Sequence, residues 1–197
     1  MRARGRDGEV MRKLIYLMMV SLDGFVETPE RSLDWVQIDE EVHSFVNDRA
    51  RGMSAFLYGR RMYELMTAGW VPVYEDQSSV SPAEADFSRI WHDTPKVVFS
   101  NTLESVGHNS TLVRGDAAEE VERLKAQPGA DMGVGGADLA GSLIRQGLVD
   151  EFDLYVNPVM LGSGKRMLPE LESRASLRLL ETRAFECGVV FLRYSRA

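Results

Sequence analysis

Apolar positions along this chain come in runs that change period. Lys13 to Leu22 (KLIYLMMVSL) is almost continuously apolar, as in a strand covered on both faces. It runs into Asp23-Gly24, a turn pair. In DEEVHSFVNDRA (39–50), Val42, Phe45, Val46 and Ala50 share one helical face. Asp39 is placed to cap that helix, and Glu40 and Glu41 suit its first turn. SAFLYG (54–59) reads as a second buried strand, and RRMYELM (60–66) as a helix starting directly after Gly59. Residues 67–94 carry Trp70, Pro72, Pro82 and a serine cluster, which predicts a long connection with a short helix near 83–91.

Strand character returns in KVVFSN (96–101) and TLVRG (111–115). Asp116 precedes Glu119 at capping-box spacing, and Val121 and Leu124 point inward from the helix that follows. DMGV (131–134) is a fifth strand, and Gly135-Gly136 separates it from the helix ADLAGSLIRQ (137–146). That helix buries Leu139, Leu143 and Ile144, and Gly147 is its stop. DEFDLYVNPVML (150–161) resumes strand character, GSGK (162–165) turns, and 177–195 holds two last strands. Alternating strand and helix followed by strand upon strand predicts an α/β domain of three layers, α/β/α. Its central sheet is mostly parallel, with antiparallel C-terminal strands.

Composition narrows the function. The 197 residues suit one domain with a sizeable core, expected over 12–197 behind a disordered tail at 1–11. Hydrophobic residues at 44% and charged residues at 27% are ordinary for a globular protein. A net charge of −7 argues against nucleic acid as a partner, and no apolar run is long enough for a membrane span. One cysteine, Cys187, leaves no internal disulfide, so a reducing, cytoplasmic setting is expected.

Three strand-to-turn junctions carry the candidate chemistry: Gly59-Arg60-Arg61, Ser100-Asn101-Thr102 and Gly135-Gly136. Each falls at the carboxyl end of an expected strand, the edge where open α/β sheets bind ligands. Two open directly into helices, whose first N–H groups are unpaired and accept phosphate. Arg60 and Arg61 add forked, charged donors. The glycine pair reads equally as a close backbone approach to a ligand or as a tight turn without one. Standard fingerprints fail: Asp138 stands where G-x-G-x-x-G needs glycine, and in LGSGKR the positions of the first glycine and the hydroxyl are Val159 and Arg166. The three histidines are dispersed, so no metal site is expected.

The stretches VSLDGFV, YGRRMYE, VFSNTL, VGGADLAGSLIRQGLVDEFDLYVNPVMLGSGKRML and the closing FLRY, in this order and spacing, resemble the dihydrofolate-reductase-like superfamily. They are most similar to the riboflavin-biosynthesis reductase domain and its stand-alone bacterial relatives. The resemblance spans roughly 12–195 and implies NADPH along the carboxyl edge of the sheet. It implies cofactor contacts from Val20, Ser21, Gly59, Arg60, Arg61, Met62, Ser100, Asn101, Thr102, Val134, Gly135, Gly136, Ala137, Asp138 and Leu139. Met62 stands where the family often has threonine, so only its N–H is offered. Asp23 and Asp39 are the candidate catalytic acids, with a pKa raised by partial burial if either donates a proton.

The implied activity is an NADPH-dependent reductase acting on C=N or C=O of a small pterin- or aminopyrimidine-like substrate, with a homodimer as the assembly. The alternatives are a non-catalytic NADPH-binding or small-molecule-sequestering protein on the same fold, or a nucleotide-binding module without redox chemistry.

Overall fold

The structure, a computed structural model, describes residues 11–197. The expected tail at 1–11 lies outside the described residues except for Met11. The first strand, β1 (Leu14–Ser21), takes the continuous apolar run, and Leu14, Ile15 and Tyr16 are sealed in the core. A three-residue strand, β2 (Phe25–Glu27), follows the Asp23-Gly24 turn. Helix α1 (Glu40–Arg51) begins where Asp39 accepts from Val42 N at 2.8 Å.

The middle of the chain runs β3 (Ala55–Gly59), α2 (Arg60–Glu75), α3 (Pro82–Asp93), β4 (Lys96–Phe99) and β5 (Ser110–Val113). After these come α4 (Ala117–Lys125), β6 (Met132–Gly135), α5 (Ala137–Arg145), β7 (Glu151–Asn157) and β8 (Lys165–Arg166). The antiparallel pair β9 (Leu177–Ala184) and β10 (Val190–Arg196) closes the chain.

Eight strands form one sheet in the order β5-β4-β3-β6-β1-β7-β10-β9. The first six run parallel, and β10 returns antiparallel on β7 and carries β9. Two cores flank the sheet. Val121, Leu124, Ala140, Leu143 and Ile144 bring α4 and α5 onto one face. Ala50, Tyr63, Phe87, Ile90 and Trp91 bring α1, α2 and α3 onto the other. A third cluster packs Val42 and Phe45 of α1 on Tyr155 and Phe191. The three layers and mixed sheet are those the periodicity predicts.

The stretch 67–94 corrects that reading. Residues 67–75 continue α2 instead of forming a long connection, while the helix expected near 83–91 is present as α3. Met62, Met66 and Trp70 recur every fourth residue and hold α2 against the core past Gly69 and Pro72. At Pro72 the helix forgoes one N–H bond near its last turn, where the loss is cheapest. α3 opens with a full capping box, Ser81 with Glu84, and Pro82 in its first turn. Asp116 does cap α4, through Ala118 N.

Candidate functional site

The order of strands decides whether the three junctions belong together. β4, β3 and β6 are neighbours, so Phe99, Gly59 and Gly135 end side by side on one carboxyl edge. Contacts between the junctions confirm this. A Cβ on Gly59 would lie 3.8 Å from Leu139 Cβ, so the start of α2 touches the first turn of α5. Arg60 Nη1 donates to Thr102 Oγ1 at 3.1 Å, joining α2 to the turn after β4.

Neither Gly59 nor Gly136, the residues before α2 and α5, supplies a side-chain cap. The first N–H groups of both helices are therefore left for other acceptors. Gly136 has φ +90, a left-handed conformation suited to glycine, and a Cβ there would press on Met62 Cβ at 3.2 Å. A Cβ on Gly135 would meet the Tyr58 ring at 3.0 Å. The glycine pair thus lets α2 pack closely on the β6–α5 turn, which brings two sets of amide donors side by side on one edge of the sheet.

The expected residues fall into three groups. Arg60, Arg61, Met62, Thr102, Ala137, Asp138 and Leu139 sit at this edge on helix starts or turns. Val20 and Val134 are core residues, 2% and 0% exposed, and offer the edge only backbone. Ser21 and Ser100 have side chains engaged within their own turns, and Asn101 reaches the turn after β5. Ser21 Oγ donates to Asp23 Oδ1 at 2.6 Å and accepts from Phe25 N at 2.9 Å. Ser100 Oγ accepts from Thr102 N and Leu103 N at 3.2 and 3.0 Å. Asn101 Oδ1 accepts from Gly115 N at 3.2 Å.

The two candidate acids differ. Asp23 accepts from Ser21, from Leu161 N at 3.1 Å and from Gly162 N at 2.7 Å. The Ser21 hydroxyl first, then these amides, hold its carboxyl below the usual range. That is opposite to the rise a proton donor needs. Asp39 caps α1 through Oδ1, two residues after Gln37, whose N–H donates to Asn157 Oδ1 at the end of β7 at 2.7 Å.

The sequence reading missed Arg114 and Glu27. Arg114 donates to Leu103 O at 2.6 Å and to Ser100 O at 3.5 Å, adding a cation to the turn after β4. Glu27 takes Arg61 in a two-point ion pair, with Nη1 to Oε1 at 2.7 Å. Neither has a local signal, because each partnership joins segments distant in sequence.

A hollow lies at the opposite edge, where β3 and β4 begin. It is about 450 Å³, lined by Met53, Ser54, Thr94 and Pro95 among others. Its Arg51 and Asp86 already pair with each other, and no uncapped helix start opens onto it. The chemistry therefore points to the carboxyl edge. Among the described residues no group of three or more His, Cys, Asp or Glu side chains is placed to hold a metal ion. No described helix is long and apolar enough to cross a membrane.

Comparison with known proteins fits this geometry. Residues 12–191 match the family model described as the RibD C-terminal domain. The chain is 34% identical to the uncharacterized protein YyaP of Bacillus subtilis (strain 168) over 184 residues, 93% of this chain and 94% of that protein. Its fold is similar to a crystal structure of a putative riboflavin biosynthesis protein from Shewanella sp. PV-4. There the TM-score is 0.74 at 20% identity, covering 94% of this chain and 99% of the other. It is also similar to dihydrofolate reductase from Enterococcus faecalis complexed with NADP(H). That TM-score is 0.62 at 12% identity, covering 93% and 96%.

Proposed function

The chain belongs to the RibD C-terminal domain family, and from that membership we propose that it is an NADPH-dependent reductase. Its substrate in this reading is a small heterocycle of the pterin or aminopyrimidine kind, reduced at C=N or C=O. One observation carries the proposal: three strand ends, two of them opening into uncapped helices, lie side by side on one carboxyl edge with Arg60 and Arg61 in the first turn of α2.

The residues suit the cofactor. Amides of Arg60, Arg61 and Met62 and of Ala137, Asp138 and Leu139 receive the pyrophosphate, because both helix starts favour anions. Arg60, with Thr102, Ser100 and Asn101 beside it, takes the 2′-phosphate, and Arg114 adds charge to the same turn. Val20 and Ser21 border the nicotinamide with backbone. When bound, the nicotinamide supplies the hydride. The protein aligns the two rings and excludes water.

Asp23 acts here by position. Its carboxylate fixes the 161–162 loop against the end of β1. Asp39 keeps Oδ2 free of the cap and orients the substrate or a water that delivers the proton. Two chains associate through the C-terminal strands, since β9 is exposed along its whole length and presents Leu177, Leu179 and Leu180.

The test is loss of NADPH absorbance with dihydrofolate, dihydropterins and aminopyrimidine ribosides as acceptors. Turnover of any of them supports the reading. A second reading, NADPH binding without turnover, is favoured by Asp23, whose carboxyl the Ser21 hydroxyl holds below its usual range. Tight binding with no oxidation across the panel would select it.

A further inference from the structure

The ribbon of β2 and β8 stands apart from the main sheet, and the reductase reading gives it no task. It is tightly fixed. A Cβ on Gly164 would fall 2.0 Å from Glu27 O, so only glycine allows the two segments to meet this closely. The Arg166 guanidinium lies 5.4 Å from the centre of the Phe25 ring. Asp23 holds Leu161 N and Gly162 N on one side, and Met167 N donates to Gly24 O at 2.9 Å on the other.

A ribbon so anchored delivers its side chains to set places. Glu27 of β2 pairs with Arg61 in the first turn of α2. Lys165 of β8 pairs with Asp138 in the first turn of α5. Arg61 also lies within the field of Asp138. Glu27, Arg61, Asp138 and Lys165 therefore form a row of alternating charge across the carboxyl edge, the ribbon supplying one acid and one base.

Resting on the NADPH reading, we infer that this row is an ion-paired strap in which Glu27 and Asp138 compete with the cofactor's phosphates for Arg61 and Lys165. Arg61 and Lys165 are 50% and 39% exposed, so solvent screens both pairs, the single-contact Lys165–Asp138 pair more than the two-point Arg61–Glu27 pair. A phosphate offers both cations stronger charge-assisted bonds and exchanges with the carboxylates. The carboxylates lower affinity and ease release of spent cofactor. Lys165 is thereby a cofactor residue supplied by the ribbon, and Glu27 sets how readily Arg61 is freed.

The experiment is titration of wild type, Glu27→Gln, Asp138→Asn and Lys165→Met with NADPH, read by calorimetry, with inorganic pyrophosphate as competitor. Glu27→Gln and Asp138→Asn each tighten NADPH and pyrophosphate by about two- to five-fold, and Lys165→Met weakens both by a similar factor. If wild type binds NADPH and neither carboxylate variant tightens it, the strap is overturned while the reductase reading stands. If no variant binds NADPH, the reductase reading fails and the strap with it. Asp138 is 81% exposed, so Asp138→Asn decides alone should Glu27→Gln fail to fold.

Discussion

The guanidinium of Arg60 reaches Thr102 Oγ1 at 3.1 Å, from the first residue of one helix to the turn that follows the neighbouring strand. That contact, with Gly59 against Leu139, brings three separate stretches of sequence together on one edge. The other Arg60 partner is Glu64, an exposed pair one helical turn away. Both partners are weak enough to yield to a phosphate.

Arg60→Ala follows from this placement. Removing a charge-assisted donor of the 2′-phosphate weakens NADPH by about ten-fold or more and NADH by less than about three-fold. Fluorescence titration with both cofactors checks it. Equal losses would place the 2′-phosphate elsewhere.

Gly136→Val tests the glycine pair. The residue must keep φ +90 with Met62 Cβ 3.2 Å from its own Cβ. Strain of about 1–3 kcal/mol is expected in urea unfolding. NADPH affinity falls with it, as the start of α5 shifts.

Lys96 gives a pH signature independent of the cofactor. It is 1% exposed, with Nζ donating to Trp91 O at 2.6 Å and to His92 O at 3.1 Å. Burial pulls its pKa from 10.5 down to about 8. The unfolded chain therefore binds more protons between about pH 8 and 10.5. This group's contribution is complete above 10.5 and is lost as pH falls through 8. Stability of wild type rises by about 1–3 kcal/mol relative to Lys96→Met across that window. Buried Tyr16, Tyr58 and Tyr155 have raised pKa values and act in the opposite sense at more alkaline pH, so the window is read below 10.

The exposed β9 strand predicts assembly. Leu179 is 49% exposed and Leu177 is 42% exposed. Light scattering should give twice the chain mass for wild type, and Leu177→Glu with Leu179→Glu should give the monomer with its fold intact. A monomeric wild type at micromolar concentration would refute the dimer.

Much of this was legible because its cause is local. The apolar run at 13–22, the cap at Asp39 and the glycine before Arg60 act within a few residues, and each predicts its element. The end of α2 was hidden by Pro72, which with Pro82 and the serines read as a long connection, while the four-residue spacing of Met62, Met66 and Trp70 went unused. α3 was expected near 83–91, and Ser81-Pro82-Ala83-Glu84 marks its start. β2 and β8 had none, being only three and two residues long and held by contacts such as Gly164 on Glu27. The same holds for the site: its helix starts were readable, but the partners of Arg61, Lys165 and Asp23 are set by chain crossings that no single stretch records.

A crystal structure grown with NADPH tests the central claim most directly. Diphosphate density is expected between residues 59–62 and 136–139, with the 2′-phosphate beside Arg60 and Thr102. Cofactor density in the hollow beside Met53, or no ordered cofactor at millimolar concentration, would contradict it.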